Sequence, residues 1–252
     1  LCPNPPHGPH HWVPDAYRAP YRDRPVDELL NRPNVDVETT QGAEARAHAV
    51  DYFAMCTAVD DHLGRLFDAI DQLGLREDTI VIFTSDHGEM LGSHGRMHKS
   101  VWYDESMLVP FLMRAPGRAI PRWDDLLLST PDLCPTLLGL AGLGRHTPAG
   151  VQGVDRSHVL CTGDGERPDS ALYCLLGREG PDAGARGLRT HRYTCVVRHA
   201  VDGGADEVML FDNEADPYQR TDVAADRAEV AAALAARLRA ELSRIEDPWA
   251  AS

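Results

Sequence analysis

A short, unbroken apolar run at residues 79–84, Thr-Ile-Val-Ile-Phe-Thr, most constrains the fold of this chain. Such a run without polar alternation is typical of a strand buried on both faces, as in a parallel sheet flanked by helices. We therefore expect an α/β fold. In open sheets of this kind, ligands bind beyond the carboxyl ends of the strands. The glycine-rich stretch that follows, residues 84–100, is the predicted functional loop.

Other patterns place helices around this strand. Apolar residues at helical spacing predict a long helix over 41–73, closed by Gly74 in a left-handed conformation. A second buried strand is expected at 109–113. A further helix should begin at Pro131, with Thr130 as its capping residue.

The last third of the chain has a different pattern. Short strand-like runs are expected at 171–176, 193–198 and 208–211. A final helix follows, opened by a capping box of Asp226 and Glu229, with an apolar stripe spaced by four residues. Strands followed by a helix predict a small α+β subdomain. We therefore divide the chain into part of an α/β core over 1–165 and a small subdomain over 166–252.

Composition limits the classes of partner. The formal net charge of −14 argues against nucleic acid or an anionic membrane surface and leaves a small anionic substrate open. No apolar run approaches the roughly 20 residues of a membrane-spanning helix. Six scattered cysteines without a CxxC pair predict isolated thiols, several of them buried. They favour the cytoplasm slightly, with periplasm or secretion as alternatives. Because the first residue is Leu1, we expect the chain to begin within a longer protein.

The predicted loop concentrates groups that bind metal ions and anions. Asp86 and His87 offer a carboxylate and an imidazole, and a tight turn at Gly88 can direct both to one ion. A surface turn is the alternative for this pair taken alone. Lys99 is the only lysine among 25 basic residues. Its compact ammonium suits one oxygen of a tetrahedral anion better than a planar guanidinium does. His94 is a weaker candidate for contact with the same anion.

A second histidine cluster lies near the start of the chain, in Pro6-His7-Gly8-Pro9-His10-His11. Proline-rich backbone can hold one imidazole rigidly. Three close histidines are also typical of a chance metal-binding tract. The residues themselves do not decide between these interpretations.

An ordered series of motifs resembles the C-terminal half of a bacterial sulfatase, in the arylsulfatase branch of the alkaline-phosphatase superfamily. The motifs are SDHGEMLGSHG (85–95), YDES (103–106), VPFLMRAPG (109–117), STPDLCPTLL (129–138), GLRTHRY (187–193) and LFDNEADP (210–217). The resemblance implies part of an alkaline-phosphatase-like sheet flanked by helices. It covers nearly the whole chain, and the series is more specific than any single motif.

The resemblance also implies roles for individual residues. Asp86 and His87 match a pair of metal ligands, and Lys99 matches a lysine that contacts the sulfate group. His7 matches a histidine that contacts the sulfate and assists the leaving group, with His10 and His11 as neighbouring registers. The implied cofactor is a divalent metal, with Ca²⁺ expected first on resemblance and Mn²⁺ second on ligand chemistry.

The chain departs from the family at the nucleophile. Sulfatases use a formylglycine made from a C/S-x-P-S-R motif, and none of the six cysteines here opens such a motif. We therefore predict a sulfate-ester hydrolase whose nucleophile lies outside this chain. The chain alone is predicted to be inactive and to bind metal weakly. The alternatives are a phosphonate monoester or phosphodiester hydrolase of the same superfamily and a non-catalytic, sulfatase-derived module.

Overall fold

The computed structural model describes residues 1–177, 180–199 and 205–251. Close contacts divide the chain into two compact units. The N-terminal unit comprises Leu1–Lys99 and Asp104–Gly117, and the C-terminal unit comprises Ser100–Tyr103 and the residues from Arg118 onward. The predicted α/β class is confirmed. The domain boundary predicted from the sequence, between residues 165 and 166, does not coincide with the division into compact units. That domain boundary stays a prediction.

A long helix organises the N-terminal unit. Two short helices, α1 (Asp15–Arg18) and α2 (Val26–Leu29), precede α3 (Thr40–Gln72). The Thr39 side chain caps the first turn of α3, and Gly74 follows its end with a φ of +69°. The predicted helix and its glycine terminator are therefore confirmed. None of the helices in the described part of the chain is both long and apolar enough to cross a membrane.

Two strands of the N-terminal unit carry the candidate site. Strand β1 (Val81–Thr84) pairs with β2 (Phe111–Arg114), and the short helix α4 (Asp104–Met107) lies between them in sequence. Both predicted strands exist, but they are antiparallel and largely half-buried, so the predicted parallel pairing and full burial are wrong for this pair. An apolar run does not encode strand direction, and the connection through α4 returns the chain the other way.

The first helices of the C-terminal unit are α5 (Thr130–Leu140) and α6 (Ser157–Thr162). The capping residue of α5 is Ser129 and not the predicted Thr130. The Asp132 carboxylate explains this shift, because it accepts hydrogen bonds from the backbone N–H groups of Ser129 (3.4 Å) and Val154 (2.8 Å). The carboxylate thereby ties the helix start to the following connection.

An antiparallel sheet and the last helix complete the C-terminal unit. The strands are β3 (Ala171–Gly177), β4 (Gly180–Arg189), β5 (Tyr193–Arg198) and β6 (Glu207–Asp212), in that spatial order, and the helix is α7 (Ala228–Arg244). Three of the strands were predicted. β4 was missed because its sequence, GPDAGARGLR, has neither an apolar run nor a regular alternation.

The core of the C-terminal unit lies between this sheet and α7. It is formed by Leu188, Cys195, Val197, Leu210, Ala231, Ala235, Leu238, Leu242 and Trp249. The predicted apolar stripe of α7 faces it. The predicted capping box is wrong, because Arg227 occupies the capping position without a side-chain hydrogen bond, and Glu229 lies in the first turn. Packing of the apolar stripe therefore positions α7 without a polar cap.

The thiols are less buried than expected. All six cysteines are free, and only Cys195 is buried. Cys56 and Cys161 are partly buried, and the others are exposed. Isolated thiols are confirmed, whereas the burial of several of them is not.

Candidate functional site

The end of β1 presents Asp86 and His87 together. The Ser85 hydroxyl donates to the His87 carbonyl at 2.8 Å, and the His87 N–H donates to Asp86 Oδ1 at 3.0 Å. This turn leaves Asp86 Oδ2 3.6 Å from His87 Nε2, with the Asp86 side chain 84% exposed. The two side chains therefore lie close together at this turn, and the expectation that they bind one ion stays a prediction.

The imidazole of His87 is held in one tautomer. Its Nδ1 lies 2.8 Å from the carbonyl of Gly88, which can only accept a hydrogen bond. In the neutral ring the proton therefore resides on Nδ1, which leaves the lone pair of Nε2 for a ligand. Burial tends to raise the pKa of Asp86, but the charge of His87 and local hydrogen bonds outweigh it, so this pKa lies below its usual value.

The pair fits part of a divalent-metal site. Donors that each lie about 2.0–2.5 Å from one ion are roughly 3 to 4 Å apart, and the observed separation falls within that range. Ca²⁺ prefers oxygen ligands, so the imidazole nitrogen of His87 suits Mn²⁺ better than Ca²⁺. In the described ranges no third His, Cys, Asp or Glu joins them to form a larger cluster. A metal ion bound by this pair would therefore need further ligands.

The loop after this pair has an unusual backbone. Leu91, His94, His98 and Ser100 all have positive φ, between 40° and 72°. For residues with a side chain, this region costs on the order of 1 kcal/mol each. The Glu89 carboxylate helps to hold the shape, because its Oε1 accepts the backbone N–H of Leu91 (3.2 Å) and of His98 (2.5 Å). Glu89 thus braces the loop.

A buried carboxylate that the sequence did not single out anchors the same loop. The Glu105 side chain is 3% exposed and accepts a hydrogen bond from Asn34 Nδ2 at 2.7 Å. His94 Nε2 lies 3.9 Å from its other oxygen. His94 therefore faces Glu105. The Gly88 N–H also donates to the Ser106 carbonyl at 2.9 Å.

Lys99 lies at the end of this loop and is half-buried. It follows His98, whose N–H is fixed by Glu89. Within the part of the chain that is described, the Lys99 ammonium forms no ion pair or hydrogen bond with another residue. The hydrogen bond from the His98 N–H to Glu89 fixes the backbone next to Lys99. The three N–H donors of the ammonium are available to a ligand.

The N-terminal histidines lie near the loop. His7 is exposed, and its Nδ1 lies 2.8 Å from the carbonyl of Gly8, which matches the arrangement at His87. Burial lowers the pKa of His10, His48 lowers it further, and Glu89 opposes both effects. Because Glu89 and His7 both act on His10, the N-terminal segment lies within electrostatic reach of the functional loop.

Comparison with known proteins adds the family. The sulfatase family pattern matches residues 2–143, and the pattern described as "N-sulphoglucosamine sulphohydrolase, C-terminal" matches residues 92–247. An endo-4-O-sulfatase of Bacteroides thetaiotaomicron is 40% identical over 98% of this chain and 51% of its own length. The chain therefore spans about half the length of the curated relative that it matches.

Solved structures agree with this assignment. A Bacteroides fragilis protein assigned to the sulfatases has a TM-score of 0.92 at 36% identity, over 98% of this chain and 53% of its own. A structure bound to its substrate, D-glucosamine-2-N,6-O-disulfate, has a TM-score of 0.70 at 25% identity, over 82% and 42%. A phosphonate monoester hydrolase of Agrobacterium radiobacter has a TM-score of 0.69 at 28% identity, over 81% and 43%. These likenesses confirm the alkaline-phosphatase-like fold, and with the profile match they show that the chain belongs to the sulfatase family.

Proposed function

We propose that this chain forms part of a hydrolase of small, anionic sulfate esters that works with a divalent metal. The observation that carries the proposal is the Asp86–His87 pair at the end of β1, with donors 3.6 Å apart in a chain of the sulfatase family. The name and bound substrate of its relatives favour sulfated sugars as the substrate class. Ca²⁺ is the first expected metal and Mn²⁺ the second.

Asp86 and His87 would hold the metal as two of its ligands. A bound divalent ion acts as a Lewis acid toward the ester and neutralises charge on the sulfate group. The Gly88 carbonyl favours the neutral His87 tautomer whose Nε2 carries the lone pair that a metal would bind. A low pKa likewise keeps Asp86 ionised at neutral pH.

Lys99 and His7 would act on the ester itself. An ammonium without a protein partner can donate to the sulfate oxygens and to the bridging oxygen, where negative charge develops as the ester bond breaks. The Nδ1 contact at His7 leaves Nε2 as the reacting atom, which stabilises the leaving oxygen or transfers a proton to it when the ring is protonated. His94 is proposed as a more distant substrate contact that Glu105 holds in place.

Steady-state kinetics on the full-length gene product test this proposal. Nitrophenyl sulfate should be hydrolysed, chelation should abolish turnover, and Ca²⁺ or Mn²⁺ should restore it. Lys99→Ala should lower kcat by roughly 100-fold or more, which is the size of effect seen when one charge-stabilising donor is removed. Asp86→Asn should raise the metal concentration needed for half-maximal activity. Asp60→Asn, an exposed carboxylate of α3, is the matched control and should change neither value.

Two outcomes would contradict the proposal. Faster cleavage of phenyl phosphonate than of the sulfate would favour a phosphonate monoester hydrolase, to which this chain is also structurally similar. Absence of turnover with either ester would favour a non-catalytic module. The 252-residue chain alone is proposed to be inactive, because none of its cysteines opens a C/S-x-P-S-R motif.

A further inference from the structure

A cavity of about 330 Å³ lies beside the functional loop. Its walls come from the segment after α2, from α3 and from the loop that carries the candidate site. The apolar part of its lining is formed by Leu30, Val35, Phe53 and Leu91, and its polar part includes Arg32, Tyr52 and Glu89. This volume lies at the lower end of the range for small-molecule sites.

Arg32 is the basic residue of this cavity, and it is fixed from behind. Its Nη1 lies 3.0 Å from Glu105 Oε1, and the Arg32 side chain is 52% exposed whereas that of Glu105 is buried. Within the described residues, Glu105 is the one ion-pair partner of Arg32. The N–H groups that do not face Glu105 remain available to a ligand, and a planar guanidinium binds an oxyanion through two such groups at once.

The carboxylate of Glu105 is not held by Arg32 alone. Glu105 also accepts from Asn34 Nδ2 at 2.7 Å and lies near His94, so its charge is shared among several donors. Glu89 Oε1 accepts two backbone N–H groups of the functional loop. An anion in the cavity would therefore be directed toward Arg32 and away from the Glu89 wall.

The cavity and the candidate sulfate site share the functional loop. Glu89, which lines the cavity, lies two residues after His87, and it binds the N–H of His98 next to Lys99. Glu89 also raises the pKa of the buried Tyr52, after the larger effects of burial and of Cys56, whereas Arg32 lowers it. Arg32, Tyr52 and Glu89 all line this cavity.

We propose that Arg32 binds a second anionic group of the substrate, a carboxylate or a further sulfate, while the Asp86–Lys99 loop holds the sulfate to be cleaved. This inference rests on the proposed function and narrows its substrate class to sulfate esters that carry a second negative charge. Arg32 is then a specificity-determining residue and takes no part in the chemical step.

A matched pair of substrates tests the inference on the full-length gene product. One is a sulfated disaccharide that also carries a carboxylate, and the other is its methyl ester, which has nearly the same shape without that charge. The wild type should hydrolyse the acid with a kcat/KM at least about 10-fold higher than the ester, chiefly through KM. A second pair of substrates, one with two sulfates and one with a single sulfate, shows whether a further sulfate is preferred to a carboxylate.

Variants assign the preference to Arg32. In Arg32→Gln the ratio of kcat/KM for the acid to kcat/KM for the ester should fall to about 1 to 2. Arg32→Lys should keep part of the preference, because lysine keeps the positive charge but lacks the planar pair of donors. Arg46→Gln removes an arginine of α3 that is also about half exposed and pairs with Glu38, and it should keep the wild-type ratio. Each ratio compares two substrates on the same protein. Partial misfolding of a variant would lower both rates by the same factor and leave the ratio unchanged.

Binding of both compounds, measured by calorimetry, separates the two proposals. If neither compound is hydrolysed, the proposed function fails, while the ratio of Kd values still decides the role of Arg32. Equal ratios in wild type and Arg32→Gln, or a wild-type preference for the ester, would overturn the inference. A preference that persists in Arg32→Gln but disappears in another variant would overturn it as well.

Discussion

The cores of the two units are built from different residues. The side chains at 0% exposure in the N-terminal unit are Ala45, Ala49 and Ala54, all on α3. In the C-terminal unit, Leu188 and Leu210 are equally inaccessible, and Leu238 of α7 is 1% exposed. A fully buried leucine contributes about 1.5–3 kcal/mol through burial, several times the contribution of an alanine methyl group.

Around the functional loop, polar contacts act beside the buried side chain of Met90, which is 1% exposed. Glu89 and Glu105 hold a backbone that contains four non-glycine residues at positive φ. The C-terminal unit uses ordinary strands and a stripe of leucine and alanine. The difference teaches that the candidate site is kept in shape by a few carboxylates, whereas the C-terminal unit depends on buried apolar area. Three substitutions test this contrast.

The largest effect is expected from the apolar core. Leu238→Ala should lower the free energy of unfolding of the C-terminal unit by about 2–5 kcal/mol, because it leaves a cavity between α7 and the sheet. Hydrogen exchange followed peptide by peptide would measure this loss in each unit. Ala49→Gly, in the N-terminal core, should cost only about 1 kcal/mol. If Leu238→Ala and Ala49→Gly lowered the free energy of unfolding by similar amounts, the proposed difference between the two cores would be wrong.

A smaller effect is expected at the turn that carries the metal pair. A Cβ at Gly88 would lie 2.0 Å from the Glu105 carbonyl oxygen, a backbone atom that cannot move aside alone. Gly88→Ala should therefore cost roughly 1–3 kcal/mol and speed hydrogen exchange over residues 86–99. Gly64→Ala is the control, since nothing lies within 4 Å of a Cβ there. In the middle of α3 it should stabilise by about 0.5–1 kcal/mol. Normal exchange in Gly88→Ala would show that the turn is not fixed by this contact.

The smallest effect is expected from a surface ion pair of the C-terminal unit. Hydrogen bonds from Arg167, and then from Arg122, lower the pKa of Asp124 to about 2, although burial opposes them. Because this pKa lies below that of the unfolded chain, the stabilisation is present above about pH 4 and is lost as the pH falls toward 2. The stability difference between wild type and Asp124→Asn should therefore shrink over that interval in acid titrations. A constant difference would show that the charge of Asp124 contributes nothing.

The sequence predicted what depends on local pattern. Helix α3 and its terminator Gly74 follow from helical spacing and from glycine chemistry, and the strands around residues 82, 112 and 195 follow from apolar runs. The turn that joins Asp86 to His87 could also be predicted, since adjacent residues and a glycine determine it. Pairing direction could not be read from the run at 79–84, because it depends on where the returning chain lies.

What depends on contacts distant in sequence was missed. Glu105 is an acidic residue in a polar stretch, and only the fold brings it to Asn34, which is 71 residues earlier. Arg32 is one of many arginines, and its cavity exists only once α3 and the loop are in place. The positive φ angles at His94 and His98 could not be read from residue type, because most histidines have negative φ even though His is enriched among the exceptions.

The single, half-buried lysine has a practical consequence for proteolysis. An endoprotease that cuts only after lysine would cleave this chain once, between residues 99 and 100, within the loop and close to the boundary of the two compact units. The appearance of two fragments, 1–99 and 100–252, would then follow the opening of one loop. Slower cleavage in the presence of a sulfate ester would give a footprint of occupancy that needs neither a label nor turnover.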